Sequence, residues 1–300
     1  MRTDAGPHLF RDLGLSELLE WLYETHGFDF RNYRAPTLER RISRRLYLTG
    51  AKSYGEYLAR LKETPAELTR LLEDLTIKVS RFFRDAPMFE RLARDVLPTL
   101  LSGRGRGRDR SFRAWCAGCA NGEEVYSLAI LVEETIRHRH ARLRVTIHGT
   151  DLDDKALRTA RAGFYSEGVL NEMPHGYLKA YFDRRGDDFV VREGLRRHVH
   201  FSRYDLTSRR SLSPPGGVFA DYDLIFCRNV LIYYDLPLQE RIVSKFTKVL
   251  APGGVLVLGT AEHIPLPVAP MFEAVSRRWK IFRRLSDAPP TPIFREVIGR

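Results

Sequence analysis

The sequence predicts a protein of the α/β class in which a parallel sheet follows an all-helical N-terminal domain. Residues 8–95 show helical periodicity and no strand-type run, whereas strand-type runs alternate with helical runs after residue 110. Such alternation is typical of a parallel sheet with helices on its faces. With 300 residues, of which 43% are hydrophobic, the chain is long enough to bury one or two cores without disulfide bonds.

Sequence signals divide the chain into four segments. A capping-box pattern with proline at the first helical position, residues 64–67, predicts a helix that ends near Leu75. Alternating glycine and arginine at residues 102–110 predict a solvated connector, with a short RNA-binding tract as the alternative. The predicted segments are a helical domain (1–85), a linking helix with the Arg/Gly connector (86–110), the α/β domain (111–286) and a flexible tail (287–300).

A basic face is predicted on one helix of the N-terminal domain. Leu38, Ile42 and Leu46 recur every four residues and form an apolar stripe. The opposite arc of this helix is expected to carry four arginines, namely Arg40, Arg41, Arg44 and Arg45. They form either an ordinary solvated surface or a docking surface for an acidic helix.

The α/β domain is predicted to contain five main strands, at residues 112–116, 144–149, 199–204, 222–227 and 254–259. The helices between them are predicted at residues 123–137, 154–162 and 238–250. A strand-type run and a turn at residues 189–194 interrupt the alternation, which predicts a small antiparallel β-subdomain at about 176–200. Residues 272–284 are expected to form a final edge hairpin.

The charge of the chain favours an acidic partner. Lysine and arginine number 49 against 38 aspartates and glutamates, a formal net charge of +11, which suits nucleic acid, a membrane surface or an acidic protein. Residues 121–200 are formally neutral, so a basic binding surface would lie outside them. Three cysteines form no disulfide framework, and the sequence has neither a signal-peptide core nor a membrane-spanning run, so we expect a cytoplasmic protein.

The loop after the first strand is the strongest indication of a ligand. Its small residues let a ligand approach the backbone, and the next helix offers free N–H groups. Glu123 and Glu124 open that helix, and carboxylates there favour a ligand with cationic groups, such as S-adenosylmethionine, over a phosphate. The dinucleotide pattern Gly-x-Gly-x-x-Gly is missing. Cys116 and Cys119 lack a second ligand pair for zinc, so we interpret them as small loop residues and expect no metal.

Polar residues also follow the ends of the next strands. Asp151, after the second strand, is placed to accept hydrogen bonds from ribose hydroxyl groups, whereas Asp153 is expected to cap the next helix. Asp205, after the third strand, is suited to accept a hydrogen bond from the amino group of adenine. Each acid taken alone also fits an ordinary loop residue. Asn229 and Tyr233 follow the fourth strand, at the edge where open sheets bind ligands.

Four motifs together resemble those of the CheR family of chemotaxis receptor methyltransferases. In family order and spacing they are Arg81-Phe82-Phe83-Arg84-Asp85, Gly122-Glu123-Glu124-Val125-Tyr126-Ser127, Thr150-Asp151-Leu152-Asp153 and Phe226-Cys227-Arg228-Asn229-Val230-Leu231-Ile232-Tyr233-Tyr234. The resemblance covers residues 15–284. It implies a Rossmann-like S-adenosylmethionine-dependent methyltransferase sheet with an N-terminal all-helical domain and a small antiparallel β-subdomain insertion. It also implies a protein-glutamate O-methyltransferase.

The resemblance implies roles for individual residues in binding the methyl donor. Glu123 would face the methionine part of S-adenosylmethionine, and Asp151 its ribose. Asp205 and Leu206 would contact the adenine. The other donor-binding positions that it implies are Lys78, Ser80, Arg84, Arg228 and Asn229.

The resemblance also implies how the protein substrate is held. Arg84 and Tyr233 match the family positions that orient the substrate carboxylate. The arginines of residues 40–45 would steer docking onto the acidic cytoplasmic helices of methyl-accepting receptors. Only a short interval separates Phe182 from Phe189 in the β-subdomain, which favours recognition without a receptor tether. We further expect a monomer that binds no nucleic acid and does not insert into a membrane.

The chain departs from the family pattern at three places. Lys78 stands where Asn or Thr is usual, Val125 where Pro is usual, and Gly259-Thr260-Ala261-Glu262 where Gly-His-Ser-Glu is usual. Lys78 would pair with the donor carboxylate or with Glu123, or it would weaken donor binding. Two alternatives therefore stay open, a non-catalytic module that binds S-adenosylmethionine and a methyltransferase for another substrate class. Amino-group methylation is disfavoured, because Asn229 is not followed by Pro-Pro-aromatic.

Overall fold

The computed structural model describes residues 13–26, 28–75, 80–102, 111–139, 143–171, 173–209, 211–216 and 221–286. Contacts divide the chain into two compact units, Met1–Ile77 with Tyr233–Leu238, and Lys78–Ile232 with Gln239–Arg300. Three features predicted from the sequence lie outside the described residues: Lys78, the connector at 103–110 and the tail at 287–300.

The first unit is helical, with α1 at Leu13–His26, α2 at Ala35–Thr49, α3 at Tyr54–Glu63 and α4 at Pro65–Leu75. All four helices contribute to its core, which includes Leu18, Phe30, Ile42, Tyr57 and Leu71. Gly50, in the left-handed region at φ 75°, ends α2, and its N–H donates to the carbonyls of Leu46 and Tyr47.

Helix α4 has the predicted bounds, but its acidic residue does not act as the capping-box pattern suggests. The N–H of Thr64, which a capping box would pair with Glu67, donates to the carbonyl of Arg60 at 2.9 Å. The carboxylate of Glu67 accepts from the guanidinium of Arg45 at 2.7 to 2.9 Å and from the hydroxyl of Tyr57 at 2.8 Å. Because Glu67 is only 3% exposed, its charge needs these partners.

The prediction of a shared exposed arginine face is wrong for Arg45. This side chain is buried, and its guanidinium forms an ion pair with Glu67 and lies 3.5 Å from Asp74. At about 100° per residue, Arg45 lies only about 20° from Leu38 around the helix, so it borders the apolar stripe. Arg45 is therefore a structural residue of the helical unit.

The described residues of the second unit contain ten strands. They are β1 (Ser111–Ala117), β2 (Arg144–Asp151), β3 (Phe164–Ser166), β4 (Phe182–Arg185), β5 (Asp188–Val191), β6 (Val199–Arg203), β7 (Tyr222–Cys227), β8 (Leu250–Leu258), β9 (Phe272–Ser276) and β10 (Ile281–Arg284). Seven of them form one sheet in the order β6-β2-β1-β7-β8-β10-β9. The pairs from β6 to β8 are parallel, and β10 is antiparallel to β8 and β9. The five predicted main strands and the edge hairpin are confirmed.

The remaining strands form the small antiparallel sheet, in the order β3-β5-β4. It begins earlier in the chain than the predicted range of about 176–200, because Phe164–Ser166 pairs with Asp188–Val191. The ring of Phe82 packs edge-on against Tyr165 and Phe182 of this sheet, with centroids 4.9 and 5.6 Å apart. Phe82 thus packs within the second unit, which contains residues 80–85.

The helices of the chain beyond α4 are α5 (Ala86–Arg91), α6 (Leu97–Ser102), α7 (Glu123–His138), α8 (Asp154–Ala162), α9 (Glu167–Leu170), α10 (His175–Tyr181), α11 (Glu193–Arg196) and α12 (Leu236–Val249). A π-helical turn, Leu92–Val96, joins α5 to α6. The predicted helices after the first, second and fourth strands are confirmed as α7, α8 and α12. None of the described helices is long and apolar enough to cross a bilayer.

The strand order places a topological switch at the centre of the sheet. From β1 the chain moves outward through β2 to β6, and it then returns to β7 on the other side of β1. In open α/β sheets, ligands bind at such a switch, beyond the carboxyl ends of the strands. The loops that follow β1, β2, β6 and β7 are therefore the place to look for a site.

Candidate functional site

The loop after β1 is built from small residues, as predicted. The N–H groups of Gly118 and Cys119 donate to the carbonyl of Thr150 at 2.8 and 2.9 Å, which ties the loop to the end of β2. Gly118 has φ 75°, and a Cβ there would overlap the side chain of Val230. The glycine is thus required both by its backbone conformation and by the loop after β7.

Glu123, at the start of α7, carries the clearest sign of an incomplete site. It is 3% exposed, and its Oε2 is a buried atom with no hydrogen-bond partner. Its Oε1 accepts from the side-chain amide of Asn121 at 3.5 Å, and the side chain of Ser80 also hydrogen bonds to this carboxylate. Burial raises the pKa of Glu123, while these hydrogen bonds oppose the rise. A bound cationic group would satisfy the remaining oxygen.

Next to Glu123 in the sequence, Glu124 forms a buried ion pair with Arg228. A terminal nitrogen of Arg228 donates to Glu124 at 2.6 Å, and the other donates to the carboxylate of Asp85 and to the carbonyl of Arg84 at 3.1 Å. The side chain of Arg228 is 1% exposed. The guanidinium of Arg228 thus holds protein groups around the site, and the assignment of this residue to donor binding stays a prediction.

The segment that bears Arg84 is held in an unusual backbone conformation. Phe83 and Asp85, on either side, have φ values of 50° and 64°. Non-glycine residues in this left-handed region cost about 1 kcal/mol or more, so the surroundings must impose it. The N–H of Phe83 donates to the hydroxyl of Ser127 at 3.0 Å, and Arg228 holds the other side of the segment. Burial raises the pKa of Glu124, and the positive charges of Arg228 and Arg84 oppose the rise.

Asp151, at the end of β2, keeps acceptor capacity although it holds the neighbouring loops. Its Oδ2 accepts from the N–H of Ala120 at 2.8 Å, and its Oδ1 from the N–H of Asp153 at 3.0 Å. Each carboxylate oxygen has a second lone pair, so further hydroxyl donors can bind. Burial raises the pKa of Asp151. Asp153 caps α8, as predicted, by accepting from the N–H groups of Lys155 and Ala156.

The loop after β6 holds Asp205 and Leu206. The Oδ1 of Asp205 accepts from the N–H and the hydroxyl of Thr207, at 2.8 and 2.7 Å, in a local turn. Leu206 is buried, whereas Asp205 is partly exposed. The loop thus offers an apolar side chain next to an acid, which is suitable for a purine with an exocyclic amino group.

The loop after β7 is shaped by a residue that sequence reasoning missed. Glu262 is 3% exposed and accepts hydrogen bonds from five backbone N–H groups, at residues 229–232 and at Gly259. We call this arrangement the Glu262 clip. It holds Asn229 at φ 59°. Burial raises the pKa of Glu262, and the backbone hydrogen bonds oppose the rise. In the sequence, the available signal is an acid three residues after the strand-end glycine Gly259, within a segment that departs from the family pattern.

Tyr233 belongs to the first unit, with the helix that carries the arginines. Its carbonyl accepts from the N–H of Arg34 at 2.9 Å, and the neighbouring Tyr234 packs edge-on against Tyr33 with centroids 4.8 Å apart. Tyr33 and Tyr234 also form an isolated β-bridge. The segment Tyr233–Leu238 is thus anchored to the residues just before α2.

The other arginines of α2 differ in their exposure. Arg40 and Arg44 are exposed. Arg41 is half-buried, and its guanidinium donates to the carbonyls of Asp74 and Leu75. Burial lowers the pKa of Arg41. A docking role for α2 therefore rests on Arg40 and Arg44.

The cysteines lie close to the site without forming a ligand cluster. Cys116, Cys119 and Cys227 are free and buried, and burial raises the pKa of each thiol. Within the part of the chain that the structure describes, no group of three His, Cys, Asp or Glu residues could hold a metal ion.

The residues present fit S-adenosylmethionine. The unpartnered oxygen of Glu123 suits the donor's amino group, Asp151 has lone pairs for ribose hydroxyls, and Asp205 can accept from adenine. Ser80 lies at this site through its hydrogen bond to Glu123. Asn229 lies at the same edge, with its backbone in the Glu262 clip.

Two family models match the chain. One is described as the CheR methyltransferase all-alpha domain and matches residues 13–76. The other is described as the CheR methyltransferase SAM binding domain and matches residues 78–281. Together they cover the helices α1 to α4 and nearly all of the large sheet, including every loop of the candidate site.

The chain is also similar to curated proteins. It is 31% identical over 254 residues to a chemotaxis protein methyltransferase of Borreliella burgdorferi, which covers 83% of this chain and 88% of that one. It is 33% identical over 241 residues to a chemotaxis protein methyltransferase of Listeria monocytogenes, with coverage of 80% and 86%. An uncharacterized 104.1 kDa protein of Rhodobacter capsulatus is 32% identical over 271 residues, but this chain spans only 27% of its length.

Proposed function

We propose that this chain, which belongs to the CheR methyltransferase family, methylates glutamate side chains of methyl-accepting chemotaxis receptors by in-line transfer from S-adenosylmethionine. The family membership makes it an S-adenosylmethionine-dependent methyltransferase of the CheR type, and the receptor glutamate is the proposed part. The observation that carries the donor part of the proposal is the buried, unpartnered Oε2 of Glu123. The relatives named chemotaxis protein methyltransferases support the receptor part. The product would be a glutamate methyl ester.

The donor would be held by acids that follow successive strands. Glu123 would bind the amino group of the methionine part, Asp151 the ribose, and Asp205 with Leu206 the adenine. When bound, S-adenosylmethionine supplies a methyl group on a sulfonium, which passes to a carboxylate oxygen and leaves a neutral thioether. Glu123 and Glu124 at the N-terminus of α7 disfavour a phosphate at that end of the helix.

The protein has little proton chemistry to perform. A glutamate side chain has an ordinary pKa of about 4.3, so at neutral pH it is already an ionised nucleophile that needs no general base. Arg84 would hold one oxygen of that carboxylate with its planar donors and leave the other free to attack. We propose that Tyr233 also orients the substrate carboxylate.

The partner would be an acidic helix of a receptor. Arg40 and Arg44 are exposed on α2, and exposed charges steer the encounter of proteins more than they tighten the final complex. Two relatives are named chemotaxis protein methyltransferases, which supports a chemotaxis substrate. We propose that this monomer acts in the cytoplasm.

Recognition is proposed to be independent of a receptor tether. A tight turn, with Gly186 at φ 63°, joins β4, which ends at Arg185, to β5, which begins at Asp188. Such a turn offers no long loop to grip a peptide. Removing the C-terminal tail of a receptor substrate should therefore leave the rate of its methylation unchanged.

A labelling experiment tests the reaction class. The protein is incubated with methyl-labelled S-adenosylmethionine and chemoreceptor cytoplasmic domains, and the labelled protein is then treated with base. Volatile labelled methanol is the expected result, because esters hydrolyse in base. Base-stable label would identify an N- or C-methyltransferase, and binding of the donor without any transfer would identify a non-catalytic module; either result overturns the proposal.

A further inference from the structure

Lys245 of α12 is a buried cation that has no role in the proposed binding of the donor. It is 6% exposed. Burial lowers its pKa to about 8, while the charge of Asp205 opposes that shift. Burying an ammonium costs free energy that a methionine of similar length would avoid. A buried lysine at this position therefore suggests that its hydrogen bonds have a functional role.

The hydrogen bonds of Lys245 all go to the loop after β6. Its three N–H donors match three acceptors, the hydroxyl of Tyr204 at 3.2 Å, the carbonyl of Leu206 at 3.0 Å and the carbonyl of Ser208 at 2.8 Å. One turn earlier on α12, Arg241 donates to the carbonyl of Thr207 at 3.4 Å. Successive carbonyls of the loop are thus bound by cations of one helix.

These contacts bracket the two residues assigned to adenine. Tyr204 precedes Asp205, and Ser208 follows the turn that the Asp205 carboxylate makes with Thr207. The hydroxyl of Tyr204 also donates to the carbonyl of Ser211 at 2.7 Å, and its ring lies 5.3 Å from the ammonium. The backbone on both sides of Asp205 is therefore fixed from α12.

We propose that Lys245 is a positioning residue for the adenine subsite, since it fixes the backbone of residues 204–208 so that Asp205 and Leu206 meet the purine in one orientation. The proposal rests on the proposed assignment of those two residues to adenine. Lys245 itself touches neither the donor nor the reacting atoms; it acts through the loop.

The test compares two ligands that differ at one edge of the purine, where the second has a carbonyl oxygen and a protonated N1 in place of the amino group and the unprotonated N1 of adenine. S-adenosylhomocysteine and S-inosylhomocysteine are titrated calorimetrically into the wild type, Lys245→Met and, as a matched control, Lys248→Met, which changes an exposed lysine of the same helix. The wild type and the control should prefer the adenosine ligand by at least about tenfold. In Lys245→Met this preference should fall below about threefold, through weaker binding of the adenosine ligand.

An unchanged preference in Lys245→Met, or an equal loss for both ligands, would overturn the proposal, because a merely structural lysine would not distinguish the purines. If Lys245→Met does not fold, Tyr204→Phe removes one acceptor of the ammonium and should lower the preference by about threefold; an unchanged preference there is equally decisive. No receptor takes part in the titration. Failure of receptor methylation would therefore affect the proposed function alone, whereas normal methylation with an unchanged preference would affect only this inference.

Discussion

Two carboxylates at the ligand-binding edge of the sheet are equally buried and have opposite surroundings. Glu123 and Glu262 are each 3% exposed, and burial raises the pKa of both. Glu262 accepts from five backbone N–H groups, whereas Glu123 has an oxygen with no partner. Burial of an acid therefore does not by itself indicate a ligand site. What distinguishes Glu123 is an unpartnered carboxylate oxygen at the edge of the sheet where ligands bind.

The arginines also divide into residues paired within the protein and residues exposed on its surface. Arg45 and Arg228 are buried in ion pairs within the protein, while Arg40 and Arg44 on the same helix as Arg45 are exposed. We expect charges that are paired within the protein, such as those of Arg45 and Arg228, to govern stability. Exposed or incompletely paired charges, such as those of Arg40, Arg44 and Glu123, should govern binding and rate. Four predictions test that division.

The largest effect is expected at Arg84, whose backbone is held by the fold while its charge is assigned to the substrate. Arg84→Ala should lower kcat for receptor methylation by about 100- to 1000-fold, because loss of one oriented donor costs about 2.7 to 4 kcal/mol. The rate is measured by base-released labelled methanol at saturating donor. Arg81→Ala, an exposed arginine of the same segment, is the control and should stay within about twofold. Normal turnover of Arg84→Ala would remove this residue from the mechanism.

Glu262→Gln should destabilise the protein strongly. The amide would place donors against at least one of the N–H groups in the Glu262 clip, and each buried donor left unsatisfied costs about 1 to 3 kcal/mol. We expect the free energy of unfolding, measured in urea, to fall by about 3 kcal/mol. Glu90→Gln, at an exposed position of α5, should change it by less than about 0.5 kcal/mol. Equal stability of the two variants would mean that the clip contributes little.

Glu123→Gln should have the opposite signature. A hydrogen bond to a charged group contributes about 1.5 to 3 kcal/mol, so affinity for S-adenosylhomocysteine should fall by roughly 50-fold. Without ligand, the free energy of unfolding should be unchanged or higher, since the variant no longer buries an incompletely paired charge. Calorimetric titration and urea unfolding of the same preparation measure both. A loss of stability as large as that of Glu262→Gln would break the comparison.

The smallest effect is expected on the surface of α2. Arg40→Ala/Arg44→Ala should slow receptor methylation about fivefold at low ionic strength and leave it unchanged at high salt, because exposed charges are screened. Binding of S-adenosylhomocysteine should stay the same. The contrasting variant is Arg45→Met, which breaks a buried ion pair and should cost about 3 to 5 kcal/mol of stability. Salt-independent slowing in the double variant would exclude steering.

The sequence was sufficient for most of the fold, because strand and helix periodicities are local. It located the loops of the candidate site and the acids Glu123, Asp151 and Asp205, since these follow predicted strands. It did not show which charged side chains are paired within the protein and which are exposed or incompletely paired. Glu262 bonds to residues about 30 positions earlier, and Arg45 pairs with Glu67 from another helix. Partners distant in sequence leave no local pattern, so the roles of such residues emerge only from the folded chain.

The Glu262 clip can form only late in the synthesis of the chain, because Glu262 follows the residues that it binds. Residues 229–232 leave the ribosome well before the carboxylate that will bind them, Ile232 by 30 residues. Until β8 has been synthesised and docked, their N–H groups can bond only to water or to temporary partners. A nascent chain at that stage already contains Glu123, Asp151 and Asp205, yet this edge of the sheet is unfinished. We expect the nascent chain to acquire the ability to retain its methyl donor only once its C-terminal strands have joined the sheet.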